Sequence, residues 1–469
     1  MCRAAAVSIL AATLALTEAS VGAPPPPSAP ARLAEWEGPS VDLSHGPLRV
    51  SENRRFLVHA DGTPFFYLGD TAWELFHRLN RVETERYLED RRVKGFTVIQ
   101  AVILAEFDGL TAPNAQGDLP LVDGNPLKLN EPYFAHVDWV VKAAERKGLF
   151  VGILPTWGDK VVKERWGIGP EIFTSPDAAR GYGRLIGQRY RNAPNVIWIN
   201  GGDRRGNGYE RIWDALAEGV REGDGGTHLM TFHPMGGRSS ADWFHDRAWL
   251  DFNMVQTGHS ARDLPTYDAI TRDYRRSPKK PVLDGEPRYE NHPINWDPKK
   301  GWFDDYDVRQ AVYWSVFAGG FGVTYGCHDV WQMFTPDRKP ISSARTDWRE
   351  ALDLPGAGQM QHLRRLMESR PFLERRPGQA LIAGEPTTGA RHVRLTFGQR
   401  YAFVYIAEGD TVEIRLGEID GRTVHAEWFD PRTGASRHIG SFPNMGTRVF
   451  DPPGRPARGN DWVLVLDSE

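Results

Sequence analysis

Residues 195–208 read NVIWINGGDRRGNG, a pattern that recurs along the chain and predicts its fold. An apolar run with the residue types of a strand ends in two glycines, and an aspartate, Asp203, follows at once. Strands that are apolar on both sides are typical of a parallel sheet whose two faces are covered by helices. Whether the carboxylate has a functional role depends on how many similar strands surround it.

Eight segments between residues 65 and 331 share this apolar pattern, and amphipathic segments separate them. The predicted strands cover 65–73, 96–104, 149–157, 195–203, 228–234, 251–259, 281–289 and 321–331. The predicted helices cover 83–94, 133–147, 176–190, 209–221, 265–275 and 307–318. Eight such units match the usual size of a (β/α)8 barrel, about 250 residues, so the predicted fold is an α/β TIM barrel. A doubly wound open sheet is the rival, but LGDTAW after the first strand is not a Gly-rich phosphate loop.

The pattern changes after residue 375. Short alternating segments such as YAFVYIA and DWVLVLD follow one another without helices between them, which predicts a small antiparallel β-sandwich. We therefore place the catalytic barrel domain at residues 48–370 and the sandwich domain at residues 371–469. Because the connection RPFLERRPG is short, we expect the sandwich to pack against the barrel. A role of the sandwich in binding sugar or collagen is the alternative.

The N-terminus has the layout of a secretory signal peptide over residues 1–23. Arg3 precedes an apolar stretch at residues 4–16 that is too short to span a bilayer. A proline-rich linker at residues 24–47 follows. These features predict a secreted or periplasmic protein without membrane association after signal removal. The mature chain would keep one cysteine, Cys327, which excludes an intramolecular disulfide, whereas the oligomeric state stays open.

The composition narrows the class of partner. The chain has 469 residues, of which 40% are hydrophobic, as in an ordinary soluble protein. Its net charge of −4 gives no basic surplus, so we expect no nucleic-acid partner. The 16 tryptophans fit a large core, and aromatic side chains also line sugar sites.

Polar or aromatic residues follow almost every predicted strand, on the face where barrel enzymes carry their active sites. Asp203 follows the fourth strand and Glu286 the seventh, so their side chains are expected to meet across the mouth of the barrel. Glycoside hydrolysis uses two carboxylates in this way. We assign Asp203 as general acid/base and Glu286 as nucleophile. The alternatives are that Asp203 caps a turn or pairs with Arg204, and that Glu286 pairs with Arg288.

Other residues at the strand ends are candidates for binding the substrate. The predicted substrate-binding residues are Asp70, Trp73, Trp157, His233, His259, Tyr289, His328 and Trp331. Asp70 could instead cap the helix that follows it, and each tryptophan could instead pack at the barrel rim. Trp296 is a further candidate for stacking on a sugar ring. Glu106 is a weaker candidate, which could lie on the second loop and face solvent.

No cofactor and no metal are predicted. Three scattered histidines without close His or Cys spacing more often bind substrate or orient a carboxylate than hold a metal. Cys327 has no evident basic partner beyond the adjacent His328, and we interpret it as a small buried hydrophobe rather than a nucleophile.

Several motifs together resemble the apiosidase-like glycoside hydrolases, family 140. They are RRFLVHADGTPFFYLGDTAWELFHRL, NVIWINGGDR, PVLDGEPRYE, YGCHDVWQM and the C-terminal WFDPRTG. The resemblance extends from about residue 48 to residue 466. It implies a (β/α)8 catalytic domain followed by a small β-sandwich that carries a collagen-binding label.

The resemblance also implies an activity and a catalytic pair. The family's aspartate of the GGD motif and glutamate of the GEP motif correspond to Asp203 and Glu286. The implied reaction is release of apiose from side chains of rhamnogalacturonan II, a pectin. Related barrels present Asn-Glu at the fourth strand, whereas this chain has Gly-Gly-Asp, which leaves retaining and inverting chemistry both open. Another furanoside, another pectic linkage, or a barrel that only binds carbohydrate or collagen are the alternatives.

Overall fold

The computed structural model describes residue 1, residues 35–164 and residues 167–469. The predicted signal peptide and the first part of the predicted linker therefore lie outside the described residues. The rest of the predicted linker is not an extended spacer. Ser40 and Val41 are buried, and their backbone N–H groups donate to the carbonyls of Lys147 and Gly148 at 2.9 and 3.0 Å. The segment packs on the barrel because it carries apolar side chains that its proline content obscured.

A parallel sheet forms the barrel, and a small antiparallel sheet precedes it. The small sheet contains β1 (Leu48–Val50), β2 (Leu57–His59) and β3 (Pro64–Phe65). The barrel strands are β4 (Tyr67–Thr71), β5 (Val98–Leu104), β6 (Phe150–Thr156), β7 (Val196–Gly201), β8 (Met230–His233), β10 (Asn253–Gln256), β11 (Val282–Asp284) and β12 (Gly322–Tyr325), with the short β9 (Arg238–Ser239) antiparallel to β10. The predicted TIM barrel is confirmed.

The strand order is β8-β7-β6-β5-β4-β12-β11-β10-β9, so the first barrel strand pairs with the last. The sheet is nearly closed: β8 and β10 share no ladder, but the backbone N–H of Asp251 donates to the carbonyl of Met230 at 2.8 Å. Every residue of the eight parallel strands is buried, as the continuous apolar runs predicted. The eighth strand is shorter than predicted, because residues 328–331 form a helical turn.

Helices cover the barrel between successive strands. They are α1 (Leu75–Arg78), α2 (Arg81–Val93), α3 (Glu131–Arg146), α4 (Pro176–Tyr190), α5 (Glu210–Asp224), α6 (Ala241–Phe244), α7 (Thr266–Tyr274), α8 (Asp305–Phe317), α9 (His328–Trp331), α10 (Trp348–Ala351) and α11 (Pro355–Glu368). Helix α4 begins where predicted, since the Ser175 hydroxyl accepts from the Ala178 N–H and Pro176 occupies the first turn. No helix in the described part of the chain is long and apolar enough to cross a membrane.

The C-terminal region is an antiparallel β-sandwich that packs on the barrel. Its strands are β13 (Arg376–Pro377), β14 (Val393–Phe397), β15 (Tyr401–Ile406), β16 (Val412–Arg415), β17 (Thr423–Phe429), β18 (Ser436–Pro443), β19 (Thr447–Phe450) and β20 (Trp462–Ser468). Helix α8 forms the contact: the rings of Tyr313 and Tyr405 stack at 4.9 Å, and Arg309 pairs with the buried Asp461 at 2.9 Å. The apolar and ionic contacts place the sandwich firmly against the barrel wall.

Candidate active site

The turn after β7 presents Asp203 to a cleft at the carboxyl end of the barrel. Its residues Gly201, Gly202 and Asp203 all have left-handed backbone angles, with φ of 90°, 113° and 52°. A Cβ atom at residue 202 would lie 2.7 Å from the ring of Trp157, and one at residue 201 would lie 2.3 Å from the carbonyl oxygen of His233. Both positions therefore require glycine. The strained turn turns the Asp203 carboxylate outward, and its side chain is 34% exposed.

Two histidines position Glu286, which follows β11. The Nε2 atom of His259 lies 2.9 Å from one carboxylate oxygen, and the Nε2 atom of His233 lies 3.0 Å from the other. An ionised carboxylate only accepts hydrogen bonds, so both Nε2 atoms carry the proton. The alternative pairing of Glu286 with Arg288 is wrong, because Arg288 donates to the Asp307 carbonyl and to Gln310.

His233 connects the two carboxylates. Its Nδ1 atom accepts from the backbone N–H of Asp203 at 3.4 Å, while its Nε2 atom faces Glu286. Because Nδ1 accepts a hydrogen bond, the proton that faces Glu286 is on Nε2. The imidazole is completely buried, so it supports the two acidic residues from behind.

The surroundings of the two carboxyl groups move their pKa values in opposite directions. Burial and the negative charge of Glu286 raise the pKa of Asp203 to about 6, against the weaker attraction of Arg204. Burial alone would raise the pKa of Glu286, but hydrogen bonds from His233 and His259 outweigh it and hold that pKa at about 2. Between these two pKa values Glu286 is ionised while most of Asp203 is protonated. The alternative pairing of Asp203 with Arg204 is present, since Arg204 Nη1 lies 3.7 Å from an Asp203 carboxylate oxygen, but this cation lowers the pKa of Asp203 less than burial and Glu286 raise it.

Both carboxylates line one cleft with a volume of about 730 Å³. Most of the predicted substrate-binding residues also line it: Trp73, Trp157, His259, Tyr289, His328 and Trp331. His233 does not, since it lies behind Glu286.

The prediction that Asp70 binds the substrate is wrong. It is completely buried at the end of β4, where its carboxylate accepts from Arg91 Nε at 2.7 Å and from the Tyr87 hydroxyl at 2.5 Å. It caps no helix either, because Glu74 occupies the N-cap position of α1, the next helix, and Asn80 caps α2. Helix α2 folds back over the first strand and covers Asp70 with a buried arginine, so this carboxylate cannot bind a substrate in the cleft.

Aromatic side chains form much of the cleft wall. The rings of Trp73 and Trp157 lie 5.3 Å apart, and both side chains are almost fully buried. Trp296 differs, since it is 53% exposed and its ring meets His259 edge-on at 5.8 Å. Trp296 thus has an exposed face for stacking on a sugar.

Two residues of the cleft, Gln256 and Glu106, differ from the sequence prediction: Gln256 was not predicted, and Glu106 was expected to face solvent. Gln256 ends β10 and hydrogen-bonds Asp203, which lowers the pKa of that carboxyl against the effect of burial. The strand-end position of Gln256 was the available signal. Glu106 is half-buried in the cleft wall rather than turned to solvent. Burial, together with the charges of Glu74 and Asp159, raises its pKa well above the usual range.

The structure also shows three histidine rings in contact with one another in the cleft wall. The ring of His292 lies 4.4 Å from that of His259 and 4.4 Å from that of His328. Burial lowers the pKa of His292 and of His328, so both rings are neutral near neutral pH. Within residues 35–164 and 167–469, no group of three His, Cys, Asp or Glu side chains is arranged to hold a metal ion.

Comparison with known proteins identifies the family of the barrel domain. Residues 51–374 match the family model described as "Apiosidase-like, catalytic domain". The chain belongs to the apiosidase-like glycoside hydrolases. It is therefore a glycosidase, and its substrate is a carbohydrate. Residues 377–467 of this apiosidase-like chain match the model "Putative collagen-binding domain of a collagenase".

Two solved structures share most of the apiosidase-like chain. One, described as a glycoside hydrolase, is 36% identical with a TM-score of 0.85, over 92% of this chain and 98% of its own. The other, described as a glycoside hydrolase family 5 from Bacteroides vulgatus ATCC 8482, is 34% identical with a TM-score of 0.85, over 91% of this chain and 95% of its own. No curated protein matches the chain.

Proposed function

We propose that this glycosidase cleaves a glycosidic bond in a pectic polysaccharide of the plant cell wall and releases apiose, with Asp203 as general acid/base and Glu286 as nucleophile. The observation that carries the proposal is the opposite shift of two carboxyl pKa values in one cleft, to about 6 and about 2. Pairs of carboxyl groups with pKa values pushed apart are the mark of an acid and a nucleophile.

In the first step the Glu286 carboxylate attacks the anomeric carbon, and the bond from that carbon to the leaving oxygen breaks. Asp203 gives its proton to the leaving oxygen. In the second step Asp203 takes a proton from water, the hydroxide attacks the anomeric carbon, and the bond to Glu286 breaks. The hydrogen bonds from His259 and His233 keep Glu286 ionised and oriented before the attack.

The choice of substrate rests on the family and on the shape of the cleft. The family model that matches residues 51–374 is apiosidase-like. The cleft combines aromatic rings with polar groups that can bind sugar hydroxyls, and Trp296 offers an exposed ring at its wall. We propose further that residues 1–23 direct export, because the pectic substrate lies outside the cell, and that residues 48–370 and 371–469 are separate domains.

The test is hydrolysis of an apiose-bearing pectic oligosaccharide by the wild type, Asp203→Asn and Glu286→Gln. We expect the wild type to release apiose and both variants to lose at least about 100-fold in kcat/KM while keeping the wild-type melting temperature. Asp123→Asn is the control, since that side chain is 81% exposed. Wild-type turnover in either variant would remove that residue from the mechanism.

The covalent step and the export have separate tests. With methanol as acceptor, a nucleophilic Glu286 predicts a methyl glycoside of the same anomeric configuration as the substrate, which NMR detects. The inverted configuration would make Glu286 a general base instead. Expression of the full chain with and without residues 1–23, followed by cell fractionation, tests export. Equal amounts in the cytoplasm in both cases would contradict it.

A further inference from the structure

A second cavity lies between the barrel and the sandwich, away from the catalytic cleft. Its volume is about 610 Å³, and its walls come from the carboxyl end of α7, from β13 and β14, and from the end of β16. Four arginines line it: Arg275, Arg376, Arg394 and Arg415. Glu418 is the acidic residue among the lining side chains. The cavity is therefore strongly positive.

The four guanidinium groups form no ion pair with a carboxylate among the described residues. Arg376 lies over the ring of Phe397 at 4.4 Å. Arg415 donates to the carbonyls of Ala380 and Ile382, each at 2.8 Å. These contacts fix the positions of Arg376 and Arg415 but give neither of them a carboxylate partner. Some buried arginines outside the cavity have a carboxylate partner, as Arg309 has in Asp461.

Arg394 is the strongest evidence that the cavity is built for a ligand. It is only 7% exposed, and its Nη2 atom donates to the Thr271 hydroxyl at 2.7 Å, but its buried Nε atom has no hydrogen-bond partner. Burial lowers the pKa of Arg394 to about 10, and the nearby charge of Arg275 acts in the same direction, although Asp268 opposes them. A buried cation with an unpaired donor is costly unless a ligand supplies an acceptor.

We propose that this cavity binds the carboxylate of an acidic sugar, a uronic acid unit of a polysaccharide chain. A planar guanidinium binds a carboxylate through two parallel hydrogen bonds, and several guanidiniums around one cavity favour an anion. Phe397, Leu381 and Tyr274 line the same cavity and offer apolar surface for the C–H face of a sugar ring. The choice of a sugar acid over a simple anion rests on the proposed pectic substrate. Such a site would retain the polymer while the cleft acts on its side chain.

Binding of trigalacturonate to the full chain tests the proposal, measured by calorimetry in the Glu286→Gln background so that no turnover occurs. We compare this protein with the same protein carrying Arg275→Gln and Arg376→Gln, two exposed arginines whose loss should not impair folding. The control is Arg422→Gln, an exposed arginine of the sandwich that does not line the cavity. We expect the affinity to fall at least about 10-fold in the double variant and to stay unchanged in the control.

Three results would overturn the proposal: unchanged affinity in the double variant, equal affinity for neutral galactotriose, or equal affinity for inorganic sulfate. The last would mean that the cavity takes any small anion. Arg394→Gln provides a second variant, with its melting temperature measured to show that it is folded. In the wild-type background, the double variant should hydrolyse a small neutral aryl glycoside at the normal rate. Failure of the cavity and failure of the catalytic pair are thus seen in different assays.

Discussion

An aspartate lies at the carboxyl end of each of the strands β4 and β7, and the two aspartates differ in their exposure and in their partners. Asp70 is completely buried and pairs with Arg91 at 2.7 Å. Asp203 follows a turn of left-handed residues, keeps about a third of its side chain exposed at 34%, and lines the cleft. Burial raises the pKa of both carboxyl groups. The difference lies in the partners: Asp70 pairs with a buried arginine, whereas Asp203 lies near the charge of Glu286 and is accessible from the cleft, as its proposed acid role requires.

The largest expected effects come from replacing Asp203 or Asp70 with asparagine, which changes activity in the first case and stability in the second. Asp203→Asn should lower kcat/KM about 1000-fold with little change in stability, because a general acid is removed from an accessible site. Asp70→Asn should lower the free energy of unfolding by about 3 kcal/mol, because it leaves Arg91 buried without its partner. Denaturant unfolding and steady-state kinetics check both. If Asp70→Asn were as inactive as Asp203→Asn yet equally stable, the distinction would fail.

The pH dependence of kcat/KM sharpens the assignment of Asp203. The rate should decline as pH rises through about 6, where Asp203 loses its proton, and the acid limb should lie near pH 2, where Glu286 gains one. Removing the charge of Glu286 should lower the pKa of Asp203, because that charge helps to raise it. NMR titration of carboxyl carbons in Glu286→Gln measures this shift. An unchanged Asp203 pKa would mean that the two groups do not interact.

Acid stability gives a smaller effect that depends on the depressed pKa of Glu286. Its folded-state pKa of about 2 lies below the ordinary value of 4.5, so its contribution to stability is full above pH 4.5 and is lost as pH falls toward 2. As pH falls from 4.5 to 2, the free energy of unfolding of Glu286→Gln should therefore decrease less than that of the wild type. Thermal unfolding across that range checks it, with Asp123→Asn as control. Parallel curves would contradict the hydrogen-bonded carboxylate.

Gln256→Ala should give the smallest effect. Its hydrogen bond lowers the pKa of Asp203, so its loss should move the alkaline limb of the pH profile upward by less than about one unit. We expect kcat/KM at the optimum to change by less than about 10-fold. The conservative variant Gln256→Asn keeps an amide in a smaller side chain, so it indicates whether the hydrogen bond or the side-chain volume sets the position of the alkaline limb. A downward shift of the limb would show that Gln256 does not donate to Asp203.

Much of the site was predictable because the eight parallel strands of the barrel run in the same direction and end at the same face. Each apolar run ends at the same face of the barrel, so Asp203, Glu286 and most of the aromatic residues could be placed together. Asp70 obeyed the same rule and was misassigned, because its partner Arg91 comes from helix α2, and helix packing leaves no local mark in the sequence. The burial of Glu106 was not predicted either, because it depends on contacts with loops that are distant in the sequence.

The order of strands and helices, and the glycines that let the chain turn before Asp203, were determined by the sequence alone, since periodicity and backbone freedom are local properties. Only the tertiary structure determined the pKa values of the carboxyl groups, the contacts of two histidines with Glu286 and the cluster of arginines without carboxylate partners between the barrel and the sandwich. These properties depend on burial and on charges from residues far apart in the chain, and the electrostatic energy of a group is a function of distance in space.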